Sequence, residues 1–236
     1  MTPWVGIIAA GEGSRLAQSR PGIVKPMIPI AGRPLCHWIV DGLRATGCLD
    51  ATVLTNTRGA AVAPSLAAAF PDVRFDFVAA DTASSFESFR LVSLRLAAKA
   101  DAFMISTVDA LIPPTEIVHF WKECLDSRAE AGLALTAHVD DEKPLWADVS
   151  ANGLISSLGD DSRKRNAVTC GLYYMTRDAA GRLPAAPTHG RLRDFWTTLV
   201  RSGADVRGVM LSKTLDVDRP QDLTSAEEFL TQEKTR

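Results

Sequence analysis

Short apolar, β-branched runs alternate with longer stretches of helical period along this chain, and that alternation restricts the fold more than any other feature. Val5–Ala10, Ala51–Thr55, Phe75–Val78 and Phe103–Thr107 read as strands, because brief apolar runs bounded by turn residues suit strands covered on both faces. After Pro34, the residues Leu35, Trp38, Ile39, Gly42 and Leu43 follow the spacing of one helix face, and Gly47 marks the end. An Ala-rich helix around 61–70 and another from Ser84 or Ser85 to about Lys99 repeat the pattern. Strands joined by helical crossovers run parallel, so the order predicts three α/β/α layers around a mainly parallel central sheet.

The later sequence extends this Rossmann-like plan and adds a local departure. Phe103–Thr107 leads to Asp109, and Pro113 and Pro114 start a helix with Ile117, Phe120, Trp121, Cys124 and Leu125 on one face. After a strand at Leu133–Ala137, Trp146–Ser150 and Leu154–Leu158 flank Asn152-Gly153, the signature of a small β-hairpin excursion. The basic, polar stretch Asp160–Asn166 is expected to be a mobile loop and an acceptor-side lid. A strand at Thr169–Tyr174, a helix carrying Leu192, Phe195, Trp196, Leu199 and Val200, a strand near Val206–Leu211 and a terminal helix opened by Pro220 complete the reading. The expectation is one domain over 1–236, with the hairpin and acceptor-side insertion at about 140–170, and a polar tail from Gln232 that frays.

Charge and cysteine usage exclude several functions. Lys and Arg number 26 against 28 Asp and Glu, for a net charge of -2, and they form no basic stripe for a nucleic-acid backbone. Cys36, Cys48, Cys124 and Cys170 are far apart and make no C-x-x-C pair, which suggests reduced thiols in a cytoplasmic protein and argues against structural zinc. The apolar run Val5–Ala10 is too short to span a membrane, and no basic segment precedes it, so neither export nor anchoring is expected. His37, His119, His138 and His189 show no metal spacing. A homo-oligomer is compatible with the sequence, which leaves the oligomeric state open.

The first strand runs into Ala9-Ala10-Gly11-Glu12-Gly13-Ser14-Arg15-Leu16, followed by Lys25-Pro26-Met27. Glycines let a backbone turn sharply and bring N–H groups against phosphate oxygens, to which Arg15 adds a fork of donors and Lys25 a compact cation. A lone G-x-G is more often just a tight turn. Here the G-K-[ST] ending of a P-loop is missing, and Leu16 stands where a dinucleotide fingerprint needs its third glycine.

The string A-A-G-E-G-S-R-L with V-K-P-M-I-P-I-A-G-R-P-L behind it resembles the nucleotidyltransferase superfamily of sugar-phosphate nucleotidylyltransferases and molybdopterin guanylyltransferase-like proteins. The resemblance implies that the loop wraps a triphosphate, that Arg15 faces the leaving pyrophosphate, and that Lys25 neutralises charge at the reacting phosphates. It also implies a Mg²⁺ ligand at Asp109 in Ile105-Ser106-Thr107-Val108-Asp109, and a second in Asp216-Val217-Asp218-Arg219-Pro220-Gln221-Asp222-Leu223, with Asp218 preferred to Asp216. Thr82, Ser84 and Ser85 correspond to the region that touches the base. The chain differs from hexose-1-phosphate members in carrying Asp81-Thr82-Ala83-Ser84-Ser85 in place of G-T-A, and Val108 in place of glycine before Asp109.

Each of these residues also has a plain structural reading. Asp109 and Asp218 suit helix caps, and Ser84 or Ser85 suits the N-cap of a helix with Glu87 in its first turn. Arg163, Lys164 and Arg165 could grip an acceptor phosphate, but a charge run in a loop reads first as solvated. Together with these residues, the resemblance implies an NTP and a phosphorylated small molecule as substrates, with Mg²⁺ as cofactor. Two other functions remain open: a GT-A type glycosyltransferase, with Asp216-Val217-Asp218 as its D-x-D motif, and a non-catalytic nucleotide-binding regulatory domain.

Overall fold

A computed structural model describes residues 2–11, 13–17, 22–139, 143–186, 188 and 190–234. Four parallel strands occupy one half of its main sheet, β1 (Trp4–Ala9), β2 (Asp50–Thr55), β3 (Arg74–Ala79) and β4 (Ala102–Thr107), in the spatial order β3-β2-β1-β4. Val5 is in register with Ala51 on one side and with Met104 on the other. The remaining strands are β5 (Ala131–Thr136), β6 (Trp146–Val149), β7 (Ile155–Leu158), β8 (Ala167–Thr176) and β9 (Val206–Leu211). β8 runs antiparallel between β4 and β5, and β5 pairs in parallel with β9. The sheet is therefore mainly parallel, as its sequence implies.

Helices cover both faces, and strand alternation divides the core between them. Val5, Ile7 and Ala9 of β1 and Met104 of β4 pack under α1 (Leu35–Arg44), α2 (Val62–Ala69), α4 (Pro114–Ser127) and α7 (Asp222–Lys234). Phe103 and Ile105 point the other way, toward α3 (Ser85–Ala97), α5 (Arg177–Gly181) and α6 (Leu192–Arg201). On that face the aromatics Phe86, Phe89, Phe195 and Trp196 interlock, with Phe89 edge-on to Trp196 at 5.5 Å. All four cysteines are free and buried, and burial holds the Cys36 and Cys48 thiols protonated, up to about 12 and about 11. No helix among the described residues is long and apolar enough to cross a membrane.

β8 carries the principal irregularity. Its first two residues pair with the β6–β7 hairpin and its last five with β4, and its register against β5 shifts between Thr169 and Tyr173. Gly171 stands in that break at φ 74°, where a Cβ would lie 2.5 Å from the Thr107 hydroxyl. Only glycine allows the bent strand to approach the carboxyl end of β4 this closely.

Two expectations require correction. The stretch Asp160–Asn166 is not a free, mobile loop, because its backbone is wrapped around one carboxylate. Asp148, buried in β6, accepts N–H bonds from Arg163, Lys164 and Arg165 at 2.8–2.9 Å and hydroxyl bonds from Ser157 and Ser162. A carboxylate with that many donors holds its loop in place. The terminal helix begins at Asp222 and not at Pro220, since the Asp222 carboxylate accepts the N–H groups of Asp218 and Arg219 and closes a turn ahead of the helix.

Candidate active site

The loops after β1, β4 and β9 and the start of antiparallel β8 all open at one edge of the sheet, the carboxyl edge where open α/β sheets take ligands. At β1, Ala9 is buried as the last strand residue, and the Ala10 carbonyl accepts a 3.0 Å bond from the Asn56 amide. Gly11 is exposed with nothing within 4 Å of where its Cβ would stand. Gly13 takes φ 58°, and its Cβ would lie 2.7 Å from that of Lys25. Glu12 and the side chain of Ser14 lie outside the described residues. Arg15, on the single helical turn Ser14–Ala17, is exposed.

Lys25 sits on a 3-10 turn, Lys25–Met27, and is only 6% exposed. Its Nζ donates to Asp109 Oδ2 at 2.7 Å and also to Asp218 Oδ1. The two aspartates are far apart in sequence, Asp109 near the middle of the chain and Asp218 near its C-terminal end, and are brought together by backbone pairing. Ala110–Leu111 forms a two-stranded antiparallel ribbon with Leu215–Asp216, and the Val217 N–H bonds the Asp109 carbonyl at 3.0 Å. Burial opposes charge at Lys25, but attraction to Asp109 and Asp218 prevails and raises its pKa. Burial likewise pushes the Asp109 carboxyl up, yet the adjacent ammonium and the Thr107 hydrogen bond bring it below its ordinary value.

Two adjoining hollows flank this triad. One, of about 50 Å³, is lined by Arg15, His138, Asp216, Asp218 and Arg219, among others. The other, of about 280 Å³, is lined by Ser85, Asp109, Tyr173, Arg191, Arg193 and Asp216, among others. Asp216 and Thr169 border both, so the hollows form a trough with Arg15 toward one end and Arg191 and Arg193 toward the other. The Tyr173 ring, stacked on Trp196 at 5.6 Å and 11°, contributes a rigid wall.

The structure thus brings Arg15, Lys25, Asp109 and Asp218 to one edge. At α3 it favours capping: Ser84 is the N-cap and accepts the Glu87 N–H at 3.1 Å, Thr82 bonds Ser88 at 2.6 Å, and Ser85 accepts the Leu192 N–H at 2.9 Å. Sequence reasoning missed Asn56, which steadies the loop after β1. It also missed Arg191, Arg193 and His138 as trough residues. The pair Arg191-Leu192-Arg193 at a helix start was the available signal; nothing local marked Asn56.

Among the described residues, no group of three or more His, Cys, Asp or Glu side chains could hold a metal ion. The two-carboxylate set of Asp109 and Asp218 still suits Mg²⁺, which takes hard oxygen ligands and commonly uses one or two carboxylates together with substrate phosphates.

The chain resembles known proteins in both sequence and fold. Over 246 residues the chain is 27% identical to the bifunctional protein GlmU of Sorangium cellulosum (strain So ce56), covering 95% of this chain and 51% of that protein. A 66-residue stretch, 28% of the chain, is 38% identical to the bifunctional enzyme IspD/IspF of Caulobacter vibrioides, covering 16% of that protein. The chain therefore spans about half or less of the length of these curated relatives. Among solved structures, the inositol-1-phosphate CTP transferase from T. maritima superposes with a TM-score of 0.82 at 19% identity, covering 99% of this chain and 96% of that one. The apo UDP-glucose pyrophosphorylase gives 0.79 at 14% identity, with 99% and 100% covered. These last two likenesses establish the nucleotidyltransferase fold. The MobA-like NTP transferase domain matches residues 5–180, three-quarters of the sequence, and the chain belongs to that family.

Proposed function

We propose that this chain transfers a nucleotidyl group from an NTP to a phosphorylated small molecule, a sugar phosphate or a compound like it, and releases pyrophosphate with Mg²⁺ bound. The observation that carries this reading is the meeting of Lys25, Asp109 and Asp218 at the carboxyl edge of the sheet, beside the glycine loop and Arg15. All 236 residues are taken as one catalytic unit, acting in the cytoplasm, where four free thiols stay reduced.

The chemistry is an in-line attack by an acceptor phosphate oxygen on the α-phosphorus. Two polyanions must approach each other, so positioning and charge neutralisation dominate the catalytic effect. The amides around Gly11 and Gly13 receive the triphosphate, and Arg15 takes charge that develops on the departing pyrophosphate. Lys25 would neutralise charge near the reacting phosphates. Asp109 and Asp218 would hold the Mg²⁺, which when bound screens the phosphates and fixes their orientation. The acceptor enters the hollow lined by Arg191 and Arg193, while Arg15 lines the adjoining one, so that the two substrates meet beside Asp216.

A pyrophosphate-release screen tests the proposal, with each of four NTPs set against phosphorylated sugars, polyols, cholines and acids. Mg²⁺-dependent release with at least one pair is expected. Tight NTP binding with no release across the panel would instead favour a nucleotide-sensing role.

A further inference from the structure

Lys25 does more than stand near the metal ligands, since its ammonium contacts both of them at once. It donates to one oxygen of Asp109 and one of Asp218, and it is almost wholly buried between them. A divalent ion touching both carboxylates must approach that same region. We propose that Lys25 acts as an internal stand-in cation that keeps Mg²⁺ out until a triphosphate arrives, so that metal and nucleotide enter together. This inference rests on the proposed function and concerns the order in which the site is filled.

The argument is electrostatic and mechanical. With the ammonium in place, half the negative charge of the carboxylate pair is already compensated, and an incoming divalent cation meets a like charge at close range in a partly buried setting. A lysine stem is flexible and its head is a point charge, so arriving phosphates can draw it away from the carboxylates. The route for that signal is visible: the stem of Lys25 packs directly against Gly13 of the phosphate loop, close enough that a Cβ at Gly13 would clash. Whatever settles on the loop at Gly13 therefore lies beside the stem of Lys25. Once its ammonium turns to the phosphates, both carboxylates are free to take the metal.

Mn²⁺ titration followed by electron paramagnetic resonance, without nucleotide, tests the inference on the full chain. Lys25→Met should bind Mn²⁺ about tenfold more tightly than the unaltered protein, because the competing charge is gone. Equal or weaker binding by the variant overturns the inference. Should Lys25→Met fail to fold, the unaltered protein provides a second measurement through the Lys25 Cε–H resonance. That signal should hold still on addition of Mg²⁺ alone and move when Mg²⁺ is added with inorganic triphosphate; movement with Mg²⁺ alone overturns the inference. A triphosphate-dependent Mn²⁺ site that Lys25→Met leaves no stronger sinks this inference alone. Absence of any bound Mn²⁺, with or without triphosphate, also removes the metal assignment beneath it.

Discussion

Lys25 donates a 2.7 Å hydrogen bond to Asp109 across 84 positions of sequence, and the same ammonium reaches Asp218, another 109 positions further along. A buried cation shared by two carboxylates is costly unless each partner stays ionised, so this cluster should respond sharply to the loss of any member.

Asp109→Asn keeps the size of the side chain but removes the charge that a metal ion and Lys25 both need. Turnover should fall by about 10²-fold or more, on the scale of losing one preorganised electrostatic group. Far-ultraviolet circular dichroism should stay unchanged while pyrophosphate release is lost. Wild-type turnover in this variant would remove Asp109 from the mechanism.

Arg15→Ala separates chemistry from folding more cleanly, because Arg15 is exposed and on a single helical turn. Its melting temperature should match the parent, while kcat falls by about 10²–10³-fold if the guanidinium meets charge that forms in the transition state. A rise in KM alone would reassign Arg15 to uniform binding of the NTP.

The two loop glycines should behave differently. Gly13→Ala forces a side chain into the left-handed region at φ 58° and against Lys25, so it should cost about 1–2 kcal/mol from backbone strain alone and displace Lys25. Gly11→Ala meets open space in the same loop and should leave thermal stability nearly unchanged. Equal melting temperatures for the two variants would contradict the contact between Gly13 and Lys25.

Stability should fall with acid in a defined window. Burial pushes the Asp148 carboxyl up, but the bonds from Ser162, Arg163, Arg165 and Ser157 dominate and hold it well below its ordinary value of 3.8. Asp76 is depressed too, first by its hydrogen bond from Arg95. A depressed folded value means that the stabilisation is complete above the unfolded value and is lost as pH falls toward the folded one. Melting temperature should therefore hold from pH 7 to about 5 and drop below about 4. Asp148→Ala should cost about 3 kcal/mol at neutral pH and release residues 159–166 to rapid amide exchange; slow exchange there would show that the loop holds without its carboxylate.

What the sequence revealed about the site was local, and what it concealed was long-range. The strand running into Gly11 and Gly13, the Asp109 at a strand end and the Asp216-Val217-Asp218 string each sit within a few residues, so spacing alone exposes them. Asp148 is the opposite case. Its carboxylate organises residues 9–17 positions away, and the three basic residues there are exposed as their sequence suggested while their backbone is tied inward, which no charge pattern reveals. The parallel half of the sheet followed from alternating strands and helices, whereas the double pairing of β8 depends on Gly171 meeting Thr107, a contact that no periodicity encodes. Lys25 was legible as a phosphate-side cation but not as the link between two aspartates, because that role emerges only when the Ala110–Leu111 and Leu215–Asp216 ribbon closes.

The most direct measurement is an anomalous-scattering map from crystals grown with Mn²⁺ and a non-hydrolysable NTP analogue. A manganese peak within coordination distance of Asp109 and Asp218, with Lys25 turned to the phosphates and Arg15 on the pyrophosphate side, is the predicted result. A manganese peak away from both aspartates, or a bound analogue with Lys25 still bridging them, would contradict the account.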